Sequence, residues 1–209
     1  MANSRHFASD AAVAAPGAEP LSVLNAWFEE ARSSGDPLPD AMTLATASAD
    51  GRPSARIVLF KGILRGGVLF VTNYESRKAR EMDENPRAAL VMHFAKRERQ
   101  LRLEGRVERA SEAESEAYFR SRPRGSQLGA WASPQSQPIT SRAELDARAS
   151  DVEARFADKD VPRPESWGGY LVFPERIELW LGQPDRLHDR FLYTREPGVE
   201  AWSIERLAP

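Results

Sequence analysis

Apolar residues recur along this chain with two periods, and the changes between them mark out its elements. From Pro20, the residues Leu21, Leu24, Trp27, Phe28 and Ala31 fall at helical spacing, and Ser33-Ser34-Gly35-Asp36-Pro37 ends the run. Ala41–Ala47 reads as a strand, and Ser48–Pro53, with its Asp-Gly pair, as a turn into a second strand at Arg56–Lys61. Ile57-Val58-Leu59-Phe60 and Val68-Leu69-Phe70-Val71 have the β-branched and aromatic composition of buried strands. Gly66-Gly67 between them supplies the φ freedom of a tight hairpin. A helix over Ser76–Glu84 follows and is broken by Asn85-Pro86. Ala88–Phe94 is a further apolar strand, while Gln100–Val107 alternates, with Leu101, Leu103 and Gly105 opposite Arg102, Glu104 and Arg106.

Ser111-Glu112-Ala113-Glu114 is a capping box that starts a helix through Tyr118 and Phe119, ended by Pro123. Ser126–Trp131 predicts another short turn of helix, and Ser141-Arg142-Ala143-Glu144 opens a polar helix to about Ala157. The link Val161-Pro162-Arg163-Pro164 returns the chain to strands at Tyr170–Phe173, Arg176–Leu181, Phe191–Thr194 and Ala201–Ile204. Strands predominate, helices are inserted between them, and short turns join neighbours. That pattern predicts a mainly β fold, an antiparallel β-barrel with peripheral helices, rather than an alternating βαβ sheet. Residues 1–19 are small and Ala/Pro/Gly-rich and are expected to form a mobile arm, leaving 20–209 as a single domain.

Composition removes several classes of function. The 209 residues are 41% hydrophobic and 29% charged, as in an ordinary soluble chain. A net charge of -2 argues against a dedicated nucleic-acid binder. The basic residues of Arg97–Arg106 alternate with Glu98 and Glu104 and read as a solvated strand face. No stretch approaches the length of a membrane span, and Asp10 before Ala-Ala-Val-Ala-Ala makes a poor signal peptide. The absence of cysteine excludes disulfides, thiolate metal sites and cysteine nucleophiles, so a cytoplasmic location is expected. His6, His93 and His188 lack metal-ligand spacing, and no HExxH, EF-hand, GxSxG or P-loop pattern occurs.

What remains points to anions. Arg56, Lys61, Arg77 and Lys78 stand at the margins of apolar runs, the last two where a helix begins. Unpaired N–H groups and the positive dipole end make such a helix start a good phosphate seat. The same residues also suit a strand pair with solvated flanking charges. A second cluster, Tyr118, Arg122, Arg124 and Ser126, offers donors for a phosphate monoester, with Tyr118 and Arg122 four apart on one expected helix. A charged helix end is the plainer reading of it. Gln135 and Ser136 suit either a cofactor contact or a polar loop. In Trp180–Phe191, the residues Arg186, His188 and Arg190 share strand parity, too many polar groups for a packed core, so they should meet an anion or solvent.

The segments RIVLFK, TNYESRKA, ERQLRLEGRVER, YFRSRPRGSQLGAWAS with PQS, WGG, IELWLGQPDRLHDRF and SIERLAP, in this order, resemble the pyridoxamine/pyridoxine 5′-phosphate oxidase family from about Pro20 to Pro209. The resemblance implies an FMN-binding split barrel and a homodimer with each FMN in a cleft between subunits. It places the flavin and its phosphate with Arg56, Ile57, Val58, Leu59, Phe60, Lys61, Val71, Thr72, Arg77, Lys78, Gln100, Gln135 and Ser136, joined by Trp180 and Arg190 of the other subunit. The substrate phosphate would meet Lys61, Tyr118, Arg122 and Ser126. Arg186, Leu187 and His188 would lie near the pyridine ring, with Arg186 and His188 as the catalytic residues and neither assigned as an obligatory base. The implied reaction oxidises pyridoxine 5′-phosphate or pyridoxamine 5′-phosphate to pyridoxal 5′-phosphate, with oxygen as acceptor and hydrogen peroxide as by-product. Leu181 departs from a family glutamine or glutamate and Val71 from a common aromatic, and the arm lacks an Arg/Tyr-rich segment. A phenazine-biosynthesis type of split-barrel oxidase and a non-catalytic FMN or pyridoxal phosphate binding protein are the competing readings.

Overall fold

The computed structural model describes residues 19–196, 198, 199 and 201–209; the expected arm lies outside them except for Glu19. Helix α1 (Pro20–Ser33) starts where Glu19 accepts the Leu21 N–H and Pro20 takes a first-turn position that needs no donor. Its Leu21, Leu24, Trp27 and Ala31 stripe is buried against the barrel, as the spacing requires. The strands are β1 (Ala41–Ala47), β2 (Pro53–Leu59), β3 (Ile63–Leu64), β4 (Gly67–Asn73), β5 (Arg87–Phe94), β6 (Arg99–Arg109), β7 (Trp167–Leu181), β8 (Asp189–Thr194) and β9 (Ser203–Leu207). They pair antiparallel in the order β2-β1-β5-β6-β7-β4-β3, with β8 on β7 and β9 on β8.

The barrel closes because the chain changes partner after β2. Through Leu59 it pairs with β1; beyond it, the Lys61 N–H reaches the Leu69 carbonyl and the Leu69 N–H the Gly62 carbonyl, both at 2.9 Å. The expected hairpin of β2 directly onto β4 is therefore corrected to β3 onto β4. Its two-residue turn is Arg65-Gly66, both at positive φ as a primed hairpin turn demands. Gly67 serves packing instead: a Cβ there would come within 3.1 Å of the Leu171 side chain. The four-residue run from Ile57 is also less buried than its composition predicts. Val58 and Phe60 enter the core, whereas Ile57 is 61% and Leu59 41% exposed, because strand alternation turns them to the opposite face, where they line a cleft.

A second correction concerns β7. The two strands expected either side of Pro174-Glu175 are one strand of 15 residues. Proline lacks a ladder donor, but here it falls where the β6 register shifts between Glu104 and Gly105. Only glycine fits opposite: a Cβ on Gly105 would lie 2.0 Å from the Phe173 carbonyl oxygen. β7 pairs with β4 along Trp167–Val172 and with β8 along Arg176–Leu181, so it spans both halves of the molecule.

Helices α2 (Arg77–Glu84), α3 (Glu112–Ser121), α4 (Arg124–Ala132) and α5 (Arg142–Arg155) lie at the periphery. Ser111 and Glu114 complete the expected capping box on α3. On α5, Ser141 caps Glu144, but the Glu144 carboxylate turns to Thr140 rather than back to Ser141. α3–α5 enclose a small second core of Phe119, Phe156, Val161 and Trp167. No helix among the described residues is long and apolar enough to cross a membrane.

Candidate active site

Between the barrel and the α3–α4 junction lies a cleft of ≈ 450 Å³. Ile57, Val58, Leu59 and Lys61 form one wall, Val71, Thr72 and Lys78 the floor, and Tyr118, Arg122, Ser126, Gln135 and Trp167 the rest. Eleven predicted residues thus meet in one place: Ile57, Val58, Leu59, Lys61, Val71, Thr72, Lys78, Tyr118, Arg122, Ser126 and Gln135.

Lys78 sits in the first turn of α2, only 9% exposed, after an extended Ser76. Its ammonium donates to Thr72 Oγ1 (3.0 Å), Ser76 Oγ (3.2 Å) and Gln135 Oε1 (2.9 Å), all neutral oxygens. Among the described residues it has no carboxylate partner. Burial, and then the nearby Arg56 charge, push its pKa down to about 8.

Arg56 lies on the other face of β2 from Ile57, Leu59 and Lys61, and it is not a cleft residue. It reaches Thr46 Oγ1 at 2.6 Å, the Leu44 carbonyl at 3.1 Å, Ser54, and Glu81 at 3.2 Å. The alternation of β2 forces this, since no bulge intervenes between Arg56 and Leu59 in the β1 register. Arg77 is likewise bound to Glu81, at 2.8 Å. Glu81 is 6% exposed and gathers donors from Thr46, Ser54, Arg56 and Arg77. Burial raises its pKa, but the Ser54, Thr46 and Arg77 hydrogen bonds and the Arg56 charge outweigh that and hold it at about 2. Lys61, in contrast, faces the cleft while paired to Asp40 at 3.0 Å. Phe60 is core, and Ser136 stands beside Gln135 at positive φ without lining the cleft.

Arg122 was expected on one helix with Tyr118. Instead α3 ends at Ser121, and Arg122 is the extended residue after it, its N–H on the Phe119 carbonyl at 3.1 Å. The residue before Pro123 is sterically driven out of the helical region. Its guanidinium lies over Trp167, 4.4 Å from the ring centroid, and 5.7 Å from that of Phe119. Nη1 is buried with no hydrogen-bond partner, and no carboxylate pairs with Arg122 among the described residues. Burial lowers its pKa from the ordinary arginine value. Tyr118 stacks on the same Trp167 ring at 6.4 Å. Arg124 leaves the cluster, bonded to the carbonyls of Lys159 and Phe156.

The other predicted residues sit elsewhere. Gln100 is opposite Trp180, and Trp180 opposite Arg190, in the β6–β7–β8 ladder. His188 packs 4.5 Å from Trp180 and accepts the Gln183 N–H at Nδ1, 3.1 Å away. The shared strand face expected for Arg186, His188 and Arg190 does not form. Pro184–Arg186 is a 3-10 turn with Asp185 and Arg186 at positive φ, and β8 begins only at Asp189. Gly182 and Pro184 break the strand before parity can apply. Arg186 and Leu187 project to solvent, and Arg190 is bound in bidentate fashion by the buried Glu178 at 2.9 and 3.1 Å. Trp167 of the cleft and Trp180 of this second group are 13 residues apart on β7, roughly 40 Å of strand contour. A single chain does not bring the two groups together.

Sequence reasoning missed Trp167, Asp40, Glu81 and Glu178. Glu81 had a visible signal, the helical i,i+4 spacing from Arg77; Asp40 had none.

Comparison with known proteins shows the family. The family described as pyridoxamine 5′-phosphate oxidase matches residues 36–156, and that described as the pyridoxine 5′-phosphate oxidase C-terminal dimerisation region matches 167–209. The chain belongs to the split-barrel flavoprotein class; within it, it is a member of the pyridoxamine 5′-phosphate oxidase family. It is 53% identical to the pyridoxine/pyridoxamine 5′-phosphate oxidase of Rubrobacter xylanophilus, covering 100% of this chain and 96% of that protein. The enzyme of the same name from Burkholderia thailandensis is 54% identical over 91% of this chain and 89% of its own length. Among solved structures, PhzG from Burkholderia lata 383, in complex with tetrahydrophenazine-1-carboxylic acid, has a TM-score of 0.85 at 32% identity, covering 91% of this chain and 93% of that one. A pyridoxamine 5′-phosphate oxidase-related, FMN binding protein from Nostoc punctiforme shares the fold, with a TM-score of 0.72 at 20% identity over 90% and 96% of the two chains.

Proposed function

We infer that this chain is an FMN-dependent oxidase of pyridoxine 5′-phosphate and pyridoxamine 5′-phosphate, yielding pyridoxal 5′-phosphate. The observation that carries the reading is a pair of cations, the buried Lys78 and the half-buried Arg122, that line one cleft and have no carboxylate among the described residues. A buried charge without a counter-ion is costly, and an anion held there removes the cost. Two such groups suit two phosphate esters, one of the cofactor and one of the substrate. The relatives more than 50% identical over nearly the whole chain support the vitamin substrate over the phenazine type, whose representative is 32% identical.

In this reading Lys78, Thr72, Gln135 and Ser136 hold the FMN phosphate. Arg77 stands at the helix start, while Arg56 contributes through Glu81 rather than by contact. The donor set fits that group: an ammonium, hydroxyls and helix N–H groups at one end, with the apolar Ile57, Leu59 and Val71 beside them for a flat ring. Lys61, Tyr118, Arg122 and Ser126 bind the substrate phosphate. Gln100, Trp180, Arg186, Leu187, His188 and Arg190 reach this cleft from a second copy in a homodimer, since their own chain holds them at the far end of β7. The C-terminal dimerisation region, which carries five of those six, supports that arrangement.

Bound FMN supplies two-electron oxidation of the substrate's exocyclic carbon, with oxygen as terminal acceptor and hydrogen peroxide as by-product. The chain's own task is orientation. Fixing the ester at Arg122 and Tyr118 makes the encounter effectively unimolecular. Arg186 covers the pyridine ring, and His188 donates or accepts a hydrogen bond beside it, its ring steadied by Trp180 and the Gln183 N–H. Residues 20–209 act as one domain, in the cytoplasm, and residues 1–19 as an arm. The purified protein should be yellow and should form aldehyde and peroxide from pyridoxine 5′-phosphate in air. An intact flavin spectrum without aldehyde would contradict the oxidase reading.

A further inference from the structure

We propose that Trp167 is the positioning residue of the substrate-phosphate seat, holding Arg122 by its indole face in place of a carboxylate. The proposal rests on the two-seat reading above. Cations predicted at this site are held in two ways. Arg56 and Arg77 grip Glu81, Lys61 grips Asp40, and Arg190 grips Glu178. Lys78 and Arg122 have no carboxylate among the described residues, and Arg122 lies instead on rings: its guanidinium carbon is 4.4 Å from the Trp167 ring centroid and 5.7 Å from that of Phe119.

An aromatic face attracts a guanidinium through its quadrupole while occupying none of the N–H donors. A carboxylate would take two donors and would repel an incoming phosphate ester. The π-face therefore orients the fork and leaves its charge uncancelled, consistent with Nη1 buried and unbonded. The same ring also sets Tyr118, stacked with an interplanar angle of 16°, and meets Phe119 edge-on at 5.2 Å. Trp167 is itself fixed from below. It is 5% exposed, opens β7 opposite Asn73, and has its backbone N–H on the Pro164 carbonyl and its carbonyl under Arg163. The indole is thus a rigid platform, and two ligand-facing side chains take their directions from it.

The test uses FMN-loaded enzyme, with inorganic phosphate as a competitive probe of the seat. In Trp167→Leu, the phosphate Ki and the KM for pyridoxine 5′-phosphate should rise together, roughly tenfold. At saturating substrate kcat should stay within about twofold, because the ester is held alike in the ground and transition states. FMN content should match the wild type. Trp167→Phe, which keeps an aromatic face, should recover most of the loss. A double-mutant cycle isolates the mechanism: with Arg122→Ala already present, Trp167→Leu should raise the phosphate Ki by much less than tenfold, leaving only the share that passes through Tyr118. An unchanged Ki in Trp167→Leu, an equal rise when Arg122 is already absent, or FMN lost in step with phosphate would each overturn the assignment. Should the leucine variant fail to fold, Trp167→Met, which also lacks an aromatic face, takes its place in every arm. A wild-type enzyme that phosphate does not inhibit overturns the seat reading underneath, and the role of Trp167 with it.

Discussion

The cleft and the far end of β7 carry similar residue types and treat their charges in opposite ways. At the far end, Arg190 is locked by two hydrogen bonds to Glu178, and Arg206 is paired with Asp189. In the cleft, Lys78 rests on three neutral oxygens and Arg122 on an aromatic ring. The paired arginines are satisfied within the chain; Lys78 and Arg122 keep charge that the proposed phosphates would neutralise. The far end is incomplete in another sense. Its Arg186 and Leu187 side chains extend into solvent from a turn that holds Asp185 and Arg186 at positive φ. One region has charge without a ligand, and the other has side chains without a cleft. In the proposed homodimer, a second copy supplies each with what it lacks.

Four experiments break or sharpen that contrast. The largest effect should come from mixing subunits. At substrate well below the wild-type KM, Arg122→Ala and Arg186→Ala homodimers should each be nearly inactive, but random reassortment should restore about a quarter of wild-type activity, because half the dimers then contain one intact site. No recovery would mean that both residues serve the cleft of their own chain. Next, Lys78→Met should weaken FMN binding about 10- to 100-fold, as expected for losing a charged hydrogen-bond donor, in a fluorescence titration of apoprotein. Riboflavin, which lacks the phosphate, should bind the variant and the wild type alike.

A smaller effect should appear with pH. Lys78 in the apoprotein loses its proton near pH 8, so FMN affinity should fall by at most about tenfold per pH unit above that value. Lys78→Met should flatten the profile. The smallest effect concerns Glu81, whose folded pKa of about 2 lies below its ordinary 4.5. The unfolded state binds the proton more tightly, so this carboxylate contributes stability fully above pH 4.5 and loses it as pH falls toward 2. Glu81→Gln should therefore lower the melting temperature at pH 7, with the gap to wild type closing across that acid window. A gap independent of pH would show that Glu81 acts by packing alone.

Much of this was legible in the chain. Period-two runs and turn residues fixed the barrel strands, with β1 at Ala41–Ala47 read to the residue. The residue types of both seats were visible as well. What could not be read was pairing across distance. Thr46 and Ser54 lie 35 and 27 positions from the Glu81 they bind, so nothing local marks Arg56 as already satisfied. Pro174 reads locally as a strand end, and only the bulge opposite Gly105 makes it a strand interior. The helix through Arg122 failed because the steric effect of Pro123 acts one residue earlier than a pattern of side chains suggests. The parity argument for Arg186–Arg190 failed for a similar reason, since it presumed a strand where Gly182 and Pro184 impose a turn.

The central claim is that the two unpaired cations serve two different phosphates. It is tested most directly by measuring, in Arg122→Ala, the KM for pyridoxine 5′-phosphate and the Kd for FMN in the same preparation. KM should rise about 10- to 100-fold, the loss expected for a charged donor to an ester, while FMN affinity stays at its wild-type value. If both constants weaken by the same factor, the cleft holds one anion seat and not two.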